Sequence, residues 1–276
     1  MTPIKSPVKT EAGALSPDKE EAGTIQARAK EGMAGLAKGL AIIEAFGANT
    51  TRMTVSDAAH LADLSRPAAR RCLLTLVDLG YLAHDGKFFT PLPRMLRLGS
   101  AYLSTSSLTQ IAQPLLASAR DRLQESVSLA VLDEGFAVFI ARAEAVRIVS
   151  TGVKLGGRLP AYCSATGRVL LGGLPEQQMR AHLESVLMKR LTHRTVANLD
   201  GVLKAIRRAA EDGYAISDEE LEIGMSAMAV PVKNSAGQIE AALSVSVFSG
   251  RVNIETLREN FLPTLRETAE RLQRSL

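Results

Sequence analysis

Cys163 and Ser164 stand side by side in "RLPAYCSATGRVLLG", residues 158–172, between a proline and an apolar run with helical spacing. A thiol and a hydroxyl there can attack a substrate, cap a helix or help to hold a ligand. Nucleophilic attack needs a base within hydrogen-bond reach. None is signalled, because His182 and His193 fall in an amphipathic helix and a polar loop, and Tyr-Cys-Ser-Ala-Thr is not a G-x-S-x-G elbow. Ser164 reads instead as the N-cap of a helix carrying Val169, Leu170 and Leu171. The free first-turn amides beside the small residues Ala165 and Thr166 suit a carboxylate. Ligand binding is the preferred reading, ahead of a plain capped core helix and of a thiol enzyme using Cys163.

A second set of residues suits nucleic acid. In "LSRPAARRCLLTLVDLGYL" the positions Ala69, Cys72, Leu73, Leu76 and Val77 make one apolar stripe, with Ser65 as N-cap, Pro67 in the first turn and Gly80 as terminator. Arg66 sits at the exposed start, Arg70 at the edge of the stripe and Arg71 opposite it. Arginines at the first turns of a recognition helix reach guanine edges and phosphates in the major groove. "YLAHDGKFFT" reads as two strands joined by a type I′ turn at Asp85-Gly86, a wing that carries Lys87 to the DNA backbone. Ser65, Arg66, Arg70, Arg71 and Lys87 are therefore the candidate DNA contacts. A winged helix that binds only protein is the competing reading.

The remaining polar groups are less specific. Asp212, Asp218, Glu219, Glu220 and Glu222 cluster without an accompanying histidine, with the spacing of a solvated loop rather than of a metal or acid/base pair. Ser244 and Ser246 in "ALSVSV" alternate onto one strand face, where they bond a neighbouring chain or line a polar pocket. Cys72 and Cys163 belong to no CxxC or Cys/His cluster, so no metal, no cofactor and no disulfide is expected.

These groups need a scaffold, and 276 residues suffice for one large or two ordinary domains. Hydrophobic content of 46%, charged content of 22% and the lack of a long apolar run predict a globular chain that neither spans a membrane nor carries a secretory signal, hence a cytoplasmic one. The net charge of +4 leans mildly toward a polyanionic partner.

Residues 1–30 mix Pro, Ser, Lys and Glu and read as a disordered tail. Residues 31–92 follow as a winged helix-turn-helix, opened by "GLAKGLAIIEAFG" with Leu36, Leu40, Ile43 and Phe46 at helical spacing, then "TVSDAAHLADLS". Residues 93–107 read as a linker helix ending in a Ser/Thr hinge, and residues 108–276 as an α+β domain with a mostly antiparallel sheet. Its strands are "SVSLAVLD", "FAVFIARA", "RIVST", "SAMAVPVK" and "QIEAALSVSVF", with helices at 108–125, near 175–188 and 198–212, and from Asn253 onward.

The ordered set "GLAKGLAIIEAFG", "LSRPAARRCLLTLVDLGYL", "GGRLPAYCSATGRVLLGGL", "GYAISDEELEIGMSAMAVPV" and "ALSVSV" resembles IclR-type bacterial transcriptional regulators from about residue 33 to the C-terminus. The resemblance implies a winged helix-turn-helix, a linker helix and a GAF-like effector domain. It implies a double-stranded DNA operator, a small organic-acid effector, and assembly as a homodimer or dimer of dimers. By position, Ala165 and Thr166 match the family's anion-holding backbone, and Ser244 and Ser246 its paired strand serines. Ser217 stands where the family often has a carboxylate and Ala227 where it often has a cysteine, so this pocket is less polar than one for a glyoxylate-like acid.

"RIVSTGVKLGGRLPAYCSATGRVLL" is closer to the Pca and Pob branch, whose members respond to 4-hydroxybenzoate, protocatechuate or β-ketoadipate, several of them as activators. That likeness implies Arg142, Arg147 and Tyr162 as further ligand contacts. A regulator of another pathway sensing a non-aromatic carboxylate is the runner-up.

Overall fold

The computed structural model describes residues 32–47, 50–146 and 153–276. Contacts divide the chain into two units, one ending at Leu96 and the other beginning at Arg97. The tail at 1–30 and the whole strand foreseen at "RIVST", Arg147 included, lie outside the described residues.

Among the described residues the first unit holds three helices, α1 (Ala34–Glu44), α2 (Val55–Leu61) and α3 (Arg66–Asp78). Thr54 and Asp57 close a reciprocal capping box at the start of α2. Asp63, at φ 51°, then turns the chain into α3. Ile42, Ala58, Ala69, Leu73 and Leu76 form the core. Ala68 is buried as well, while Cys72 and Val77 are only half-buried.

Two expectations fail here. Leu36 and Leu40 are exposed, at 60% and 43%, because α1 docks through Ile42 with Ile43 and Phe46 beside it, and its apolar stripe leaves the core toward the N-terminus. The wing also lacks a two-residue type I′ turn. β1 (Leu82–His84) pairs with β2 (Phe89–Pro91) from His84 opposite Phe89, which leaves four residues between them. Among these only Gly86 has positive φ, whereas type I′ needs two such residues. The Asp85 carboxylate instead accepts the Lys87 and Phe88 amides at 2.9 and 2.7 Å. Those two bonds hold its carboxyl below the usual range.

After a short 3₁₀ turn at Pro93–Met95, α4 (Leu96–Thr105) ends at Ser106, which caps α5 (Ser107–Leu123). The second unit is a six-stranded antiparallel sheet flanked by helices. The strands are β3 (Val127–Asp133), β4 (Phe136–Ala143), β5 (Arg158–Pro160), β6 (Ala215–Asp218), β7 (Met225–Lys233) and β8 (Ile239–Phe248), in the order β5-β4-β3-β8-β7-β6. The short strands β5 and β6 were not foreseen.

The two faces of this sheet differ in a way that creates the site. One face carries Leu129, Leu243, Val245 and Val247, packed by α5 and by the terminal helix α10 (Leu262–Gln273), which follows the single turn α9 (Ile254–Thr256) and a π turn. The other face is mostly alanine, with Ala130, Ala137, Ala229 and Ala242 against α6 (Ala165–Leu171). Small side chains leave space under a helix, and here α6 does not fill it. Behind α6 lie α7 (Glu176–Ser185) and α8 (Leu199–Asp212), whose Met179, Leu183, Leu203 and Ile206 pack on Leu171 and Cys163. Gly167 fixes the approach of α6, since a Cβ there would lie 2.1 Å from Ala161 Cα.

Candidate functional site

The described residues present two candidate sites, one in each unit. In the first, Ala68, Ala69, Leu73 and Leu76 anchor α3, and Ser65, Arg66, Arg70 and Arg71 are turned outward and exposed. Ser65 is in extended conformation at the cap with its hydroxyl unused by the helix. Among the described residues none of Arg66, Arg70, Arg71 and Lys87 forms an ion pair, so their charge is available to a polyanion. The wing adds a feature that spacing did not reveal. The Arg52 guanidinium lies 4.3 Å and the Lys87 ammonium 5.0 Å from the Phe88 ring centroid, so two cations share one aromatic at the wing. Arg52 is far from Phe88 in sequence, and only the Met53–Phe89 bridge brings it there.

In the second unit a cavity of about 260 Å³ opens between α6 and the alanine-rich sheet face. It is lined by Arg142, Ser164, Ala165, Thr166, Ser217, Ala227, Ser244 and Ser246, all foreseen from sequence, and by Phe139, Val153, Leu159, Leu221, Glu222, Met225 and Ser226, which were not. The apolar wall comes from loops and strand edges whose convergence no local pattern encodes.

Ser164 answers the question raised by its neighbour. Its Oγ donates to the Pro160 carbonyl at 2.9 Å and accepts the Gly167 amide at 3.1 Å, so it is a cap. Cys163 is fully buried, and burial pushes its thiol from the ordinary 9.0 up to about 11. Such a thiol is neither accessible nor ionised near neutral pH, which removes the nucleophile. Because the folded state holds this proton more tightly than the unfolded chain, the contribution to stability is complete below about pH 9 and is lost as pH rises through about 11. We expect the urea midpoint to fall over that interval and to fall less in Cys163→Ala; equal pH profiles would contradict it.

The polar residues divide into committed and open ones. Ser217 Oγ donates to the Cys163 carbonyl at 3.0 Å, and Ser244 Oγ to the Ser128 carbonyl at 3.5 Å. The Thr166 and Ser246 hydroxyls and the Ala165 and Thr166 amides make no hydrogen bond with another described residue. Arg142, 5% exposed in its side chain, donates through Nη1 to Ser128 Oγ at 2.9 Å and through Nε to Glu144 at 3.1 Å. Glu144 is 56% exposed, so this pair is weak. Arg142 also borders a shallower groove with Leu103, Gln110, Gln113 and Glu144.

Tyr162 does not line the cavity. Its hydroxyl donates to the Lys189 carbonyl at 2.6 Å and accepts the Lys189 amide at 3.0 Å, and burial with Cys163 beside it lifts its pKa to about 12. The side chain belongs to the α7–α8 cluster, on the far side of the turn.

The acidic cluster is only partly solvated, with Asp212 and Glu222 exposed and Glu220 inside. Glu220 is buried and receives both Arg168 Nη atoms, at 2.5 and 2.7 Å, plus the Val196 amide at 3.1 Å. Arg168, equally buried, donates its Nε to the Tyr162 carbonyl at 3.2 Å. The two meet because α6 points one basic residue at the β6–β7 loop, a pairing across sequence that the run of carboxylates concealed. Glu219 is largely covered and bridged to Arg194, Asp218 accepts from Arg194 and Ser226, and Asp212 pairs with Arg208. Among the described residues no group of three or more His, Cys, Asp or Glu could hold a metal ion, and no helix is long and apolar enough to cross a membrane.

Comparison with known proteins gives the same two parts. Residues 35–86 match the IclR helix-turn-helix domain and residues 100–274 the bacterial transcriptional regulator IclR C-terminal model. The chain is 39% identical to the Pca regulon regulatory protein of Pseudomonas putida over 84% of this chain and 80% of that one. It is 39% identical to the p-hydroxybenzoate hydroxylase transcriptional activator of Acinetobacter baylyi, over 89% and 93%. A solved IclR homologue from Microbacterium hydrocarbonoxydans, complexed with 4-hydroxybenzoate, superposes with a TM-score of 0.71 at 28% identity, covering 88% and 99%.

Proposed function

Because the chain belongs to the IclR family of DNA-binding transcriptional regulators, and is not an enzyme, we propose that its effector is an aromatic carboxylate held in the cavity beneath α6. One observation carries this reading. The cavity's described lining combines one cation, Arg142, with apolar walls from Phe139, Leu159, Leu221 and Met225, the complement of a carboxylate joined to a ring. Its volume is slightly below the roughly 300–1,000 Å³ of ordinary ligand pockets, which suits a small acid. The open Thr166 and Ser246 hydroxyls and the amides at Ala165 and Thr166 supply further donors. The similarity to a p-hydroxybenzoate hydroxylase transcriptional activator and to the homologue complexed with 4-hydroxybenzoate supports the same ligand class.

In this proposal Ser65, Arg66, Arg70 and Arg71 face the operator's major groove, with Lys87 on flanking phosphate. The active species is a cytoplasmic homodimer or dimer of dimers. Exposed Met33 at the cap of α1, Leu36 and Leu40 on it, and Leu96, Leu98 and Tyr102 on α4, are apolar surface that self-association would cover.

Coupling runs by linkage, the ligand favouring one arrangement of the dimer over another. A route out of the cavity supports it. Gln113 on α5 donates to the Arg142 carbonyl at 3.1 Å, and the same helix holds the end of α4 through Thr109 Oγ1 to the Leu103 carbonyl and Gln110 Nε2 to the Ser104 carbonyl.

The test is thermal unfolding against 4-hydroxybenzoate, protocatechuate, benzoate, β-ketoadipate, glyoxylate and pyruvate. A ligand at 100 times its Kd stabilises by about 2.7 kcal/mol, a readable shift. We expect an aromatic acid to give that shift and Arg142→Met to lose it. Stabilisation by glyoxylate or pyruvate alone would overturn the aromatic reading, and no shift with any acid would remove the cavity as the effector site.

A further inference from the structure

The cavity's described lining holds one cation and one anion, and they lie at opposite ends. Arg142 is on β4, and its row runs through Ser128 on β3 and Ser244 on β8 to Ala229 on β7. Three strand spacings, roughly 14 Å, separate β4 from β7. Glu222 lies in the loop that enters β7 at Met225, four residues of strand before Ala229.

Glu222 is exposed, lines the cavity and forms no ion pair with another described residue, whereas the acidic residues beside it are engaged by Arg194 and Arg168. The loop that carries it is anchored. Thr192 donates to the Glu219 carbonyl at 2.7 Å, Thr195 to the Glu220 carbonyl at 2.6 Å, and the Glu220 side chain is tied to Arg168. An acidic residue with no ion pair among the described residues thus follows an anchored stretch of backbone at the end of the pocket away from Arg142.

A ligand that turns its carboxylate toward Arg142 presents its other end to Glu222. A second carboxylate there meets a like charge, and a bare ring edge leaves Glu222 to water. A hydroxyl donates a charge-assisted hydrogen bond. We infer that Glu222 is the specificity-determining residue of the cavity, selecting aromatic monocarboxylates with a hydroxyl opposite the carboxylate and rejecting dicarboxylates. The inference rests on the aromatic-carboxylate reading above.

Calorimetric titration of the full chain and of Glu222→Gln with 4-hydroxybenzoate, benzoate and terephthalate tests it, since the three share a ring and differ only at the far end. The parent protein should prefer 4-hydroxybenzoate to terephthalate. The variant should narrow that preference by about tenfold or more, mainly by binding terephthalate better, with benzoate unchanged. An unchanged ratio in Glu222→Gln, with 4-hydroxybenzoate still bound, would overturn the role of Glu222 and leave the aromatic-carboxylate reading standing. So would a parent protein that prefers terephthalate. If neither protein bound any of the three, that reading would fall, and this inference with it.

Discussion

Arg168→Met should destabilise the protein by about 3–5 kcal/mol, and Glu220→Leu by a similar amount, because each leaves a buried charge without its partner. The side chains are 5% and 8% exposed, so water cannot replace what is lost. Replacing both at once should cost much less than the sum, since a matched apolar pair removes the uncompensated charge. It should not be neutral. The Val196 amide and the Tyr162 carbonyl also lose partners, at roughly 1–3 kcal/mol for each buried group left unsatisfied. A double-mutant cycle by urea unfolding measures the coupling, and simple additivity of the two single costs would show that the pair does not act as a unit. The pair also fastens the β6–β7 loop to α6, two walls of the cavity, so the single variants should weaken effector binding along with stability.

Arg66→Ala combined with Arg70→Ala should erase discrimination between operator and random DNA while leaving the unfolding curve nearly unchanged. Each bidentate arginine–guanine contact is worth about 1–3 kcal/mol of discrimination, so the pair accounts for roughly 2–6 kcal/mol if the effects add. Stability is spared because both side chains are exposed and form no ion pair among the described residues. Lys87→Ala should act differently, weakening binding to every sequence and lowering the slope of log K against log salt by about 1. Retained operator selectivity in the double variant would move base readout off α3. A salt-independent association would mean that the winged helix does not meet phosphate at all.

Much of this was legible because it is local. Period-3.6 stripes, the Ser164 cap, and the strand-like runs of β3, β7 and β8 each depend on residues a few positions apart. Ser164, Thr166, Ser244 and Ser246 were found for the same reason, as they sit in two short motifs, whereas Arg142 and Ser217 came only with the family resemblance and Glu222 and Ser226 were missed. What escaped was set by contacts across the chain. Glu220 reads as one of a run of surface acids until Arg168 is brought opposite it. Tyr162 reads as a ligand contact until the Lys189 backbone takes its hydroxyl. Asp85-Gly86 satisfies a hairpin rule, yet the Asp85 side chain prefers to bond the Lys87 and Phe88 amides and widens the turn. Leu36 and Leu40 repeat with a helical period, which establishes a face but not what covers it.

Arg142 has a consequence for the economy of switching. Its guanidinium is held by Ser128 and Glu144, and it still has N–H donors to offer a ligand. An acid can therefore use donors that are already held in place, and little of its binding free energy goes into ordering that side chain. Whatever part of that affinity differs between two arrangements of the protein shifts the balance between them.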